Sequence, residues 1–189
     1  MRIRPEDYAI HNAMEDVVEQ AVEKVLEEDK RACSCSMCQD DIKAQMLNRL
    51  QHRYHPLLTG QPKPPGLELE DLETGLFNKV MLECYKALQL VKVSPRHEHD
   101  RVELTNTTEA ILGFAVSEIL SNQKLFFERD DLSQLMAESL NGLEPAYKTT
   151  HKGDAFSRVA EMDPTYIAYV YSAIFHALKV LDLGSRRTS

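Results

Sequence analysis

The sequence predicts an all-α protein: two tandem three-helix units packed against each other as a pseudo-dimer. Three observations predict it. Apolar residues recur at helical spacing over long stretches. No stretch alternates at the period of a strand over a useful length. The pattern of the first half then returns in the second.

Charge and composition narrow the function. The chain has 189 residues, enough for one domain or two small ones, with 22 basic against 30 acidic side chains and a net charge of -8. That balance argues against broad binding to nucleic acid or anionic membranes, which need clustered positive charge. No apolar run approaches the roughly 20 residues of a membrane span. The opening Met1–Asp7 lacks the apolar core of a signal peptide. The expected location is the cytoplasm, where thiols stay reduced and clustered cysteines read as metal ligands before disulfides.

The first unit is expected over residues 1–93. Residues 1–11 form a polar lead-in. Asn12 caps a helix, with Glu15 placed for a capping box. Val17, Val18, Ala21, Val22, Val25 and Leu26 give that helix one buried stripe. Glu27–Arg31 reads as a solvated end. Next comes Cys33-Ser-Cys35-Ser-Met-Cys38. A second helix is expected from about Asp40, with Ile42, Met46, Leu47 and Leu50 inward and Pro56 and Gly60 ending it. Residues 61–66 hold three prolines and a glycine, so they form a loop. A third helix is expected from Leu69 or Thr74 to Val93, with Phe77, Val80, Met81, Cys84, Tyr85, Leu88 and Val91 inward. Residues 93–100 read as a linker.

The second unit, residues 101–189, repeats the first. Asn12, Glu15, Ala21, Val22 and Leu26 meet Asn106, Glu109, Ala115, Val116 and Leu120 at a shift of 94. Ala44, Leu47, Asn48, Leu50, Tyr54 and Gly60 meet Ala137, Leu140, Asn141, Leu143, Tyr147 and Gly153 at a shift of 93. Val80, Ala87 and Leu88 meet Val170, Ala177 and Leu178 at a shift of 90. The shift changes only where loops absorb it. All four cysteines are lost together: Phe126, Glu128, Asp131 and Ile174 stand in their places. An apolar or charged substitute is expected to fill the corner a metal holds in the first copy.

Cys-x-Cys-x-x-Cys places three soft thiolates on one tight turn, and zinc takes four such ligands in a tetrahedron. Cys84 is the expected fourth ligand, with His52, His55, His97 and His99 as alternatives. A closed site of this kind, one zinc per chain, is structural and leaves no open position for catalysis. An iron–sulfur cluster takes the same ligand type. Arg49, His52, Arg53 and Tyr54 form a second group, a cationic-aromatic cluster suited to a phosphate and a base. Asn48 and Asn141 recur inside helices, where asparagine has poor propensity, and are read as buried hydrogen-bonding groups. Asp40-Asp41 and Asp130-Asp131 are read as capping charges. Tyr166, Tyr169 and Tyr171 are read as helix packing. The chain has only seven glycines and no phosphate loop, nucleophile elbow or His-Glu-x-x-His. An enzyme is therefore not expected.

Glu15-Asp16-Val17-Val18, then Cys33-x-Cys35-x-x-Cys38-x-x-Asp41-Ile42-x-Ala44, then Leu47-Asn48-Arg49-Leu50 and Arg53-Tyr54, resembles the late competence development protein ComFB family. The likeness covers about residues 12–60 and, loosely, the third helix. Residues 101–189 share it only through the internal repeat. Gln51-His52 stand where relatives often carry prolines. The resemblance implies a small, helical, dimeric, non-enzymatic protein with cysteine-held zinc. It implies regulatory or adaptor action through protein partners, and in some relatives reception of cyclic di-GMP. The two fused copies would then replace the family homodimer.

Overall fold

A computed structural model describes residues 3–97, 102–151 and 164–183. Its helices are α1 (Ala13–Glu28), α2 (Ser36–Leu47), α3 (Thr74–Val93), α4 (Thr107–Gln123), α5 (Arg129–Asn141) and α6 (Pro164–Val180). Helices dominate, but the all-α expectation needs correcting. Strand β1 (Ile10–Asn12) pairs antiparallel with β2 (Tyr54–Pro56), and β3 (Val102–Asn106) with β4 (Tyr147–His151). These ladders are too short for alternation to register in the sequence.

Local chemistry sets most boundaries. Asn12 caps α1 by accepting from the Met14 N–H, and Asn106 caps α4 by accepting from the Thr108 N–H. The expected capping boxes do not close, because Glu15 and Glu109 bond instead to the hydroxyls of Tyr147 and Tyr8. Helix α2 begins at Ser36 rather than near Asp40, with Cys35 as its N-cap, and ends at Leu47, well before Pro56. In the second half Glu128 holds the N-cap position equivalent to Cys35. Residues 62–68 form the expected irregular loop. Gln20 fastens its far end through the Leu67 carbonyl and the Leu69 N–H.

Two cores result. The first packs α1, α2 and α3 around Val17, Val22, Ile42, Met46, Val80 and Leu88. The second packs α4, α5 and α6 around Leu112, Val116, Leu135, Met136, Val170 and Ile174. Tyrosines cross both ways: Tyr54 is buried in the second core and Tyr147 in the first. The lead-in also departs from expectation. Ile3 and Tyr8 are buried against the second half, the Ile3 N–H donates to Ser117 Oγ at 2.7 Å, and the Ala9 N–H donates to Ser133 Oγ at 2.9 Å.

The halves meet through reciprocal hydrogen bonds. Asn48 accepts from the Tyr147 N–H at 2.6 Å and donates to the Tyr147 carbonyl at 2.9 Å. Asn141 treats Tyr54 the same way, at 2.8 and 2.9 Å. Each side-chain amide thus acts as a short piece of ladder for the other half. Between them the Tyr54 and Tyr147 hydroxyls lie 2.8 Å apart. Asn106 donates to the Tyr54 hydroxyl and Asn12 to that of Tyr147.

Candidate metal centre

The turn between α1 and α2 gathers Cys33, Cys35 and Cys38, the last on the first turn of α2. The chain leaving α3 returns over this turn and adds His97. Its Nδ1 lies 3.8 Å from the sulfurs of Cys33 and Cys35 and 3.9 Å from that of Cys38. All four ligand atoms lie within 4.8 Å of one another. A tetrahedron with zinc–sulfur bonds of about 2.3 Å and a zinc–nitrogen bond of about 2.0 Å has sulfur–nitrogen edges of about 3.6 Å. The sulfur–nitrogen spacings therefore lie within a few tenths of an ångström of those around one small tetrahedral ion. Three soft thiols and an imidazole make a zinc donor set.

The thiols differ in their readiness to ionise. The Cys38 backbone N–H, aided by the His97 imidazole, pulls the Cys35 thiol down to about 6. Burial, with the neighbouring sulfurs, pushes Cys38 up to about 12. Cys35 is exposed, Cys33 half-buried and Cys38 buried, so the cluster sits at the surface with one wall inside the protein.

Cys84, the expected fourth ligand, does not join this group. It is buried on the inner face of α3, where its thiol donates to the Ala21 carbonyl at 3.6 Å and burial pushes it up to about 12. Its counterpart Ile174 is equally buried, so this position is a core position in both halves. The alternatives also separate. His52 is half-buried beside Tyr54, with ring centroids 5.8 Å apart, and its Nδ1 has no hydrogen-bond partner among the described residues. His55 is exposed on β2. His99 lies outside the described residues.

In the second half Phe126 does not fill the corner: it is exposed, and Phe127 is buried in its stead. In the Arg49–Tyr54 group, His52 and Tyr54 lie in ring contact. Arg49 reaches Glu83 at 3.4 Å, and burial lowers the His52 pKa. Tyr54 is turned into the second core with its hydroxyl bonded. A base could stack on Tyr54 only by opening the seam.

The paired acids are not caps: Cys35 and Glu128 hold the N-cap positions, and only Asp130-Asp131 fall in a first helical turn. Asp130 accepts from the N–H and hydroxyl of Thr59. Asp41 accepts from the Arg96 guanidinium and from the Thr149 hydroxyl. Sequence reasoning missed Arg96 and Thr149. The only trace was an arginine next to a histidine in a polar linker.

No helix among the described residues is long and apolar enough to cross a membrane. No curated protein and no solved structure matches the chain. The family model described as late competence development protein ComFB matches residues 11–63 and again residues 105–183. Both matches cover the capped first helix and the asparagine-bearing second helix of a unit, and only the first includes the cysteine turn. The chain belongs to the late competence development protein ComFB family, matched twice in tandem, with the cysteines kept in the first copy alone.

Proposed function

We propose that the protein is a non-enzymatic regulatory or adaptor protein connected with competence, whose first half is clipped by one structural zinc. Cys33, Cys35, Cys38 and His97 hold the ion. The observation that supports this reading is the set of three thiols and one imidazole within 4.8 Å, enough donors for a four-coordinate structural ion. The ion pins the α1–α2 turn to the segment that follows α3. The halves pack as an intramolecular pseudo-dimer, and the reciprocal Asn48–Tyr147 and Asn141–Tyr54 bonds support this reading. Protein partners act on that scaffold.

Metal analysis by native mass spectrometry, on protein purified under reducing conditions, tests the site. One zinc per chain is expected in the parent protein and in Cys84→Ser. Cys38→Ser and His97→Ala are expected to lose the ion or bind it at least about tenfold more weakly. A parent protein without zinc would overturn the reading. Zinc lost from Cys84→Ser but kept in His97→Ala would overturn the ligand set.

A further inference from the structure

Residues 94–97 touch both the cysteine cluster and the second half of the chain. Helix α3 ends where the Ser94 N–H bonds to the Leu90 carbonyl, and Ser94 to His97 then run exposed across the surface. Burial does not hold such a segment, so its polar contacts must. On one side Cys38 Sγ reaches the Arg96 carbonyl at 3.7 Å, and His97 lies among the three thiols. On the other, Arg96 Nε donates to Asp41 Oδ2 at 2.9 Å, and its Nη2 reaches both Asp41 Oδ1 and Thr149 Oγ1. Thr149 in turn donates to Asp41 Oδ1 at 2.6 Å.

The placement of these partners gives the contacts a direction. Asp41 lies almost one turn beyond Cys38 on α2 and is buried. Thr149 is the middle residue of β4, opposite Leu104 of β3, and two residues from the Tyr147 backbone that Asn48 grips. The Arg96 guanidinium thus bridges a helix of the first half and a strand of the second. It does so on the wall of an open cleft of about 430 Å³ between α2, α3 and β4.

We infer that metal loading of the cysteine cluster governs how firmly α2 grips β4, with Arg96 as the positioning residue. The inference rests on the proposed zinc site. With the ion bound, His97 is fixed and Arg96, its neighbour, is held in reach of Asp41 and Thr149 together. Without the ion, the exposed segment is released and the bridge loses its anchor. A clip in one half then reports its occupancy to the seam between the halves.

Hydrogen exchange on the full chain tests this, with zinc content measured on the same samples. In the parent protein, removal of zinc by a chelator should speed exchange of the β4 amides about tenfold, the lower end for a charge-assisted contact that is partly exposed. Amides of α6, remote from the bridge, should change little. Arg96→Ala should keep its zinc, show fast β4 exchange from the start, and respond no further to chelation. Arg96→Lys should restore part of the protection, because an ammonium meets Asp41 but lacks the fork that also spans to Thr149. If chelation loosens every helix at once, the zinc-loaded Arg96→Ala protein decides: fast β4 beside unchanged α6 sustains the inference. Unchanged β4 in zinc-loaded Arg96→Ala overturns it, as does a parent protein whose β4 ignores verified zinc loss. A parent protein that carries no zinc ends the metal reading and this inference together, and the metal measurement shows that case separately.

Discussion

Replacing Asn141 by alanine tests the seam most directly. The Asn141 amide makes two hydrogen bonds to the backbone of Tyr54, at 2.8 and 2.9 Å. Each is worth about 1 kcal/mol net, so about 2 kcal/mol is lost. Alanine is the better helix former at the end of α5, which returns about 0.5 kcal/mol. The balance is a loss of about 1.5 kcal/mol. For a chain of 189 residues that corresponds to a fall in Tm of roughly 3–6 °C. Thermal unfolding followed by circular dichroism, at fixed pH and zinc, measures it. Asn48→Ala removes the reciprocal pair on Tyr147 and should behave alike. Asn141→Asp should be worse than alanine, because its second oxygen faces the Tyr54 carbonyl without a proton to give. A Tm within about 1 °C of the parent for Asn141→Ala would refute the view that these amides hold the halves together.

Three further substitutions probe the polar centre of the seam. Burial, with a smaller push from the Glu15 charge, raises the Glu109 pKa above 4.5, while the Tyr8 hydroxyl works the other way. A carboxyl raised on folding contributes stability that is complete below its unfolded value, near 4.5, and is lost as pH rises through its folded value. Glu109→Gln keeps an acceptor for Tyr8 and removes the charge, so its Tm advantage over the parent should grow between pH 4.5 and pH 7. A constant difference between the two pH values would contradict this. Tyr54→Phe keeps the ring in the second core but strips the oxygen that accepts from Asn106 and meets Tyr147. It should cost about 1–2 kcal/mol in denaturant unfolding. Tyr147→Phe should cost more, since Glu15 then loses its donor too.

The helices and the duplication were legible because each rests on a local signal. Asn12 and Asn106 cap, the stripes recur with the helical period, and the matched positions keep their order. The strands were not legible, since ladders of three to five residues need partners that sequence order does not reveal. The asparagines read as lying within helices; Asn48 is instead the C-cap of α2 and Asn141 the last residue of α5, and both bond to the opposite half's backbone. For the metal site, the three clustered cysteines could be read directly. The fourth position reads as Cys84, with His97 only one of four alternatives, because Cys84 follows the inward stripe of α3 like any small apolar residue and His97 stands in a polar stretch with no period at all. Arg96 was hidden for the same reason: its partners lie 55 and 53 positions away.

The crossed tyrosines have a consequence for how this architecture responds to scarcity. A seam between separate subunits dissolves as copy number falls. Here one chain carries both sides, and such a covalent tether keeps them at an effective concentration in the millimolar range. Tyr54 therefore finds the second core, and Tyr147 the first, however few molecules a cell holds. The tether also frees the two sides to diverge. A substitution in identical subunits alters both faces of their contact at once, but here one side can change alone. A cysteine cluster can then persist in one half while its counterpart positions are remodelled in the other.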